Sequence, residues 1–559
     1  MEPTTVYPAR IVRTMDPARP TAEAVAVRGE RIRAVGSVAE LMAYPGAVLD
    51  ERYADAVLLP GFVEAHSHAG SGNVWASTYV GLLDRVDPDG RQWPGCRTID
   101  EILDRLRAAE AELQDKEAVL TAWGLDPIYF PGQSLAAAEL DRVSTTRPIH
   151  VSHTNGHVCA VNTAVLRRFG IDASTGVSGV VKDDAGDPTG ELQEFAAMGL
   201  VSELVEGMGL LNISSAALRR FAQEGVNTGT TTLTDLGSSL LMDDDGVELY
   251  RSSIGEDFPA RLNVFHFGAG IGPVALSLPD AAERLIRLRG TSTDKLRFGN
   301  VKLMLDGSIQ GFTARLQSPG YLNGQPNGIW NVTPEEFREA FEAFHQAGLL
   351  VHVHCNGDQA TQLFLETLEA ILVAHPRPDH RHTCTHSQMS TAAQYRRMAA
   401  LGVCANIFAN HIWAWGDQHM DVTVGPDRAA HMNAAATALS HGVPISLHSD
   451  TPVTPLGPLH GVKHAVTRLT VSGRVMGEYE KISVQEALEA VTIGGAYMLK
   501  MDHEVGSLEA GKLADLAVLA EDPLDVEPER IGDIRVLGTV VGGRHHATVV
   551  APANAVAAS

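Results

Sequence analysis

The chain has 559 residues, 44% of them hydrophobic and 20% charged. That length suits a large barrel or two to four domains, and the composition excludes wholesale disorder. Lys and Arg total 44 against 68 Asp and Glu, a net charge of −24, which argues against nucleic-acid or anionic-membrane partners.

The opening MEPTTVYPARIVRTMDP has no basic segment followed by an apolar core, and no stretch approaches ~18 uninterrupted apolar residues. Neither a signal peptide nor a membrane helix is predicted. Cys96, Cys159, Cys355, Cys384 and Cys404 are odd in number and irregular in spacing, which speaks against a disulfide framework and CxxC zinc sites. A reducing cytoplasm is the expected compartment, and Cys355 and Cys384 read as small buried residues on strands.

The first ~57 residues form short strand-like runs broken by Gly and Asp, and the C-terminal runs ADLAVLAED, IRVLGTVVGGR and HATVV share that texture. Both ends are expected to meet in one small β-sandwich, residues 1–57 plus 500–550. The tail APANAVAAS is expected to be disordered.

Between these ends, eight strand-like runs end in polar or glycine-rich punctuation. They are LLPGFVEAHSH (58–68), GTTTLTDLG (229–237), ARLNVFHFGA (260–269), GNVKLMLDGS (299–308), LLVHVHCNG (349–357), HRHTCTHSQ (380–388), VCANIFAN (403–410) and VPISLHSD (443–450). Helix signals lie between several of them. A capping box at Thr333 and Glu336 has Pro334 at the first helical position, the helix from 391 stops at Gly402, and a second box pairs Ser483 with Glu486. The pattern predicts an α/β protein, a (β/α)8 TIM-like barrel of residues 58–70 plus 226–499, with its chemistry at the C-terminal ends of the strands. Residues 71–225 are too many for one crossover and read as a large insertion after strand 1.

Ligand-type residues recur at those strand ends. His66 and His68 stand two apart on a strand, so both imidazoles face one way and can grip one metal. Lys302 lies among Val301, Leu303, Met304 and Leu305; burial lowers its pKa, and a neutral amine can capture CO2 as a carbamate that bridges two cations. Pairing with Asp306 is the alternative. His354 and His386 would complete a second site, while His352 and His382 read as packed or hydrogen-bonded residues deeper in their strands. Asp450, at the tip of the eighth strand, could ligate one metal and accept a proton from an activated water.

These motifs resemble the amidohydrolase superfamily, and more narrowly amidohydrolase family 3, which includes N-substituted formamide deformylase and YtcJ-like proteins. The resemblance rests on LPGFVEAHSH, RPIHVSHTNGHVCAVNTAVL (147–166), PTGELQE (188–194), VKLMLDGSIQGFTA (301–314), VHVHCNGDQA (351–360), SDTPVTPLGPL (449–459) and GSLEAGKLADLAVLAEDPL (506–524). It implies two divalent ions, most often zinc. His66, His68 and Asp450 would hold one and His354 and His386 the other, bridged by carboxylated Lys302.

The expected activity is hydrolysis of a C–N bond in a small non-peptide amide, such as an N-formyl or N-acyl compound. Asp450 would pass the proton to the departing amine, and His157 from the insertion would steady charge on the carbonyl oxygen; a structural role for His157 is the alternative. Trp123, Tyr129, Phe130, His411, Trp413 and Trp415 are candidate substrate contacts or ordinary core. Ester, lactone or carbamate hydrolysis, and hydrolytic deamination, are the competing activities; superfamily deaminases usually carry Glu where this chain has Gly357. A scaffold that has lost its metals is the remaining alternative. Symmetry statistics alone suggest a homodimer.

Overall fold

The structure, a computed structural model, describes residues 3–115, 117–205, 213–268 and 276–549. The expected tail, and the last residue of the run at 260–269, lie outside them.

Eight strands pair in parallel, in chain order, within one sheet. They are β1 (Phe62–Val63), β2 (Thr230–Ser238), β3 (Arg261–Phe267), β4 (Leu296–Met304), β5 (Leu350–Cys355), β6 (Thr383–His386), β7 (Cys404–Ile407) and β8 (Ile445–Leu447). Every expected barrel run contributes one of them. β3, β5, β6, β7 and β8 are buried along their whole length, as a parallel sheet covered on both faces requires. Phe221, Leu285, Phe341, Phe364, Tyr395 and Leu488 from the surrounding helices join Val264, Val353 and Ile407 in one apolar core.

The helix signals act as their chemistry dictates. Thr333 and Glu336 form a reciprocal capping box at Pro334–Gln346. Ala392–Leu401 ends on Gly402 in the left-handed region, at φ 72°. Ser483 and Glu486 cap Val484–Ala490 in the same way.

One expected strand is divided. The run 58–68 breaks at Gly61: Val57–Pro60 pairs with Thr4–Arg13 and Leu516–Leu519, and only β1 joins the barrel sheet. A Cβ on Gly61 would lie 2.0 Å from the Thr231 hydroxyl, so only glycine lets the chain pass between the sheets here. His66 and His68 therefore lie beyond the regular strand, where a single bridge joins Ser67 to Asp235.

Among the described residues no strand ladder joins β8 to β1. The seam is tied by other bonds. The N–H groups of His66 and Ser449 both donate to the Glu64 carboxylate, Ser449 at 3.2 Å. Asp450 N–H donates to the His66 carbonyl at 3.2 Å, and His68 N–H to the Thr451 carbonyl at 3.1 Å.

Strands from both chain ends share a second sheet, in the order Arg544–Ala547, Val536–Val541, Leu516–Leu519, Val57–Pro60, Thr4–Arg13, Thr21–Arg28, Arg31–Gly36. Buried Arg261 of β3 grips Asp515 beside it through two hydrogen bonds of 2.6 and 2.8 Å. A third sheet lies within residues 71–225, running from Thr78–Tyr79 through Leu120–Leu125, Ile149–His153 and Val158–Val161 to Pro188–Gln193 and Val180–Lys182. No helix among the described residues is long and apolar enough to cross a membrane.

Candidate metal centre

At the C-terminal ends of β1 and β8, His66 Nε2 and His68 Nε2 both lie 3.2 Å from one Asp450 oxygen. That oxygen is buried and, among the described residues, engages in no bond of hydrogen-bonding geometry. Lone pairs meeting at such a spacing, rather than donors facing acceptors, suit ligands around a cation. Burial opposes ionisation of Asp450, but His66, His68 and His386 outweigh it and hold the carboxyl well below its usual range. Burial pushes His66, His354 and His386 well below the ordinary histidine value, reinforced by Lys302. Each direction favours the form a divalent cation needs, the carboxylate of Asp450 and the unprotonated imidazoles of His66, His354 and His386.

The other expected ligands adjoin this group. His386 Nε2 lies 3.0 Å from His354 Nδ1, and His386 Nδ1 lies 3.8 Å from Asp450. Lys302 is buried, its amine has no hydrogen-bond partner among the described residues, and burial lowers its pKa to about 7. Asp450 is its main electrostatic partner. Pairing with Asp306 is not found: that carboxylate instead accepts backbone N–H groups from Arg315, Asn356 and Gly357 at 2.9, 3.0 and 2.8 Å.

The backbone carries strain at two of these positions. His386 and Asp450 adopt positive φ values of 67° and 56°, in the region that ordinary side chains avoid. His386 is the last paired residue of β6, and Asp450 stands three residues beyond the end of β8.

His448 is an addition to the expected set. Its Nε2 lies 3.1 Å from His386 Nδ1, and its ring stacks on His66 at 4.8 Å. His66, His386 and His448 form a second group close enough to share one ion. His448 precedes Asp450 by two residues, and that spacing was its signal in the sequence.

The insertion reaches the same place. His157 Nδ1 lies 2.9 Å from a Glu194 oxygen, and its ring approaches His354 at 5.7 Å between centroids. Burial opposes protonation of His157, but Glu194 overrides it and raises the pKa. Asn155 bonds the His157 N–H at 2.9 Å and reaches Ser308 beyond β4 at 3.3 Å, fastening the insertion to the barrel mouth.

The remaining expected residues divide. His411 bonds Gln310 at 3.0 Å and His419 at 2.9 Å, and packs on Phe408. Trp415 is buried and donates to Asp126 at 2.8 Å. Trp413 stacks on His464, and Trp123 sits in an aromatic cluster with Trp75 and Tyr79. His352 is packed on Phe265, and His382 accepts the Val351 N–H at 3.1 Å and lies 2.9 Å from His345, in keeping with structural roles. All five cysteines are buried and unpaired.

Comparison with known proteins decides the class. The model of the amidohydrolase family matches residues 54–546. The chain belongs to that family. The amidohydrolase is 28% identical to Protein LONG AFTER FAR-RED 3 of Arabidopsis thaliana, covering 95% of this chain and 89% of that one. It is 27% identical to N-substituted formamide deformylase of Arthrobacter pascens, covering 95% and 96%. Its fold is that of an uncharacterized metal-dependent hydrolase from Pyrococcus horikoshii, with TM-score 0.69, 18% identity, and coverage of 97% of this chain and 100% of the other. The amidohydrolase is a hydrolytic enzyme.

Proposed function

We propose that this amidohydrolase cleaves the C–N bond of a small non-peptide amide, with N-formyl and N-acyl compounds as the substrate class. The observation that carries the reading is the convergence of His66, His68 and Asp450, with buried Lys302, whose amine has no hydrogen-bond partner among the described residues, in electrostatic contact with Asp450. The likeness to N-substituted formamide deformylase across nearly the whole chain supports an amide over an ester.

His66, His68 and Asp450 would hold one divalent cation and His354 and His386 a second, with carboxylated Lys302 between them. Such cations polarise a carbonyl oxygen and lower the pKa of a water toward ~7. Asp450 accepts the proton released as water attacks, then gives it to the departing nitrogen. His157, held through Nδ1 by Glu194, donates from its other nitrogen to the charge gathering on the carbonyl oxygen. In this division of labour the barrel supplies ligands and proton acceptor, the insertion supplies the oxyanion donor, and the sheet from both chain ends supports the barrel.

Hydrolytic deamination fits less well. A Cβ at Gly357 would lie 1.8 Å from the Arg315 carbonyl oxygen, so no acidic side chain can be accommodated there. The test is a hydrolysis screen of metal-replete protein across N-formyl, N-acetyl, aryl-amide, cyclic-amide, carbamate and ester compounds. Turnover of the acyclic amides above the other classes supports the proposal; turnover confined to esters, or none in any class, overturns it.

A further inference from the structure

His448 lies just beyond β8, buried, and both of its ring nitrogens are engaged by neighbouring strands. Its Nδ1 is 2.9 Å from Asn406 Oδ1 on β7, and its Nε2 is 3.1 Å from His386 Nδ1 at the end of β6. A carboxamide oxygen only accepts, so His448 Nδ1 carries the proton and donates it. In a neutral imidazole the other nitrogen is then bare, so His448 Nε2 accepts and His386 Nδ1 donates. Asp450 does not compete for that proton, because its Oδ2 stands 3.8 Å from His386 Nδ1. The His448 ring also stacks on His66 and on Phe408, each at 4.8 Å between centroids, which holds its edge toward His386.

This line of donors leaves His386 Nε2 bare, and that nitrogen faces His354 Nδ1 at 3.0 Å. His354 reaches a matching tautomer by another route. Its Nε2 lies 3.3 Å from the Gly307 carbonyl, an acceptor that also takes an N–H from Asn356 at 2.8 Å. Donation from Nε2 leaves His354 Nδ1 bare, so two lone pairs meet where a cation would relieve them. We propose that His448, held by Asn406, is a positioning residue: it fixes the tautomer of His386 so that Nε2 is presented to the second cation. In this role it is not a third ligand in the group it forms with His66 and His386. The inference rests on the two-ion reading above and names what prepares its second seat.

The test loads wild type, His448→Phe, His448→Gln, Asn406→Leu and the Asn406→Leu, His448→Phe double variant with zinc and reads the two affinities by chelator competition. His448→Phe is expected to weaken the second ion by about 10–100-fold and to leave the first unchanged. Asn406→Leu shifts the second ion in the same direction, and the double variant loses no more than His448→Phe alone, because Asn406 acts through His448. His448→Gln keeps an acceptor for the His386 proton and retains part of the affinity. Wild-type affinity for the second ion in His448→Phe overturns the proposal, as does an equal weakening of both ions, which marks a merely structural residue. A crystal structure of zinc-loaded wild type decides the matter even if the variants fail to fold. His386 bound through Nε2 with its Nδ1 on His448 upholds the proposal; His448 Nε2 on an ion overturns it. If wild type holds a single ion, the two-ion reading fails separately. The proposal then stands if that ion sits on His386 Nε2 with His448 on Nδ1, and falls if His386 does not touch it.

Discussion

His157 and Glu194, 37 residues apart in the chain, form a buried pair in which His157 Nδ1 lies 2.9 Å from the Glu194 carboxylate, beside His354 at the barrel mouth. Glu194 holds this position with φ at 61°, a left-handed backbone for a non-glycine residue, and its N–H donates to the His157 carbonyl at 2.7 Å. A carboxylate accepting from Nδ1–H raises the His157 pKa and favours the imidazolium, the form in which the other nitrogen also carries a proton to donate. Glu194→Gln is expected to lower kcat by about 100-fold with KM and metal content unchanged. His157→Gln should cost about as much, and the double variant little more, because the two act as one unit. Additive losses in the double variant would contradict the pairing.

Lys302 is the proposed bridge between the two halves of the cluster. Lys302→Ala is expected to lower metal content and turnover together, since the proposed bridge disappears. Metal analysis and assay of the same preparation check this; normal values for both would show a purely structural lysine.

Asp450 has two proposed tasks, ligand and proton acceptor. Asp450→Asn keeps an oxygen for the metal but removes the base, so part of the metal should remain while turnover falls by about 10²–10⁴-fold. Full activity in this variant would remove Asp450 from proton transfer.

Much of this was legible in the sequence. The eight apolar runs ended in polar residues because parallel strands buried on both faces must pass their chemistry to the loops, and that placed His66, His68, Lys302, His354, His386 and Asp450 near one another. Less legible was anything depending on a single backbone angle or on contact between distant segments. The run 58–68 reads as one strand, yet the close approach of Thr231 divides it at Gly61. PTGELQE was recognisable as a motif, but the partnership of Glu194 with His157 depends on a left-handed residue that no periodicity signals. Trp415 looked like a substrate contact because an aromatic beside a strand end is ambiguous; its bond to Asp126 shows it wedged between barrel and insertion.

The buried histidines outside the cluster make stability sensitive to acid. Burial lowers His150 and His266 to about 4, and His153 and His419 to about 3. In the unfolded chain each returns to its ordinary value near 6.5. As pH falls below ~6.5 the unfolded state gains protons that the folded state refuses, so stability is full above that value and declines toward pH ~4. Each such histidine contributes about 1.4 kcal/mol of decline per pH unit within the window. Denaturant midpoints measured from about pH 7 to 5 should fall less steeply in His419→Gln than in wild type; parallel curves would contradict the assignment.

Arg261 and Asp515 join the barrel to the sheet formed by both chain ends, and Asp515 also accepts the Gly542 N–H at 2.8 Å. Arg261→Ala leaves a buried carboxylate without its counter-charge and should cost about 3–5 kcal/mol by equilibrium denaturation. A loss below about 1 kcal/mol would show that the pair is not a principal tie.

The most direct test of the central claim is metal stoichiometry. Chelator-treated protein is reloaded with zinc or manganese, dialysed, and assayed for bound metal beside a His66→Ala, Asp450→Ala double variant that remains folded by circular dichroism. Tight, stoichiometric metal in wild type and its loss in the variant are expected. Wild type that retains no metal, or a variant that retains as much, would contradict the assignment of the barrel mouth as the metal centre.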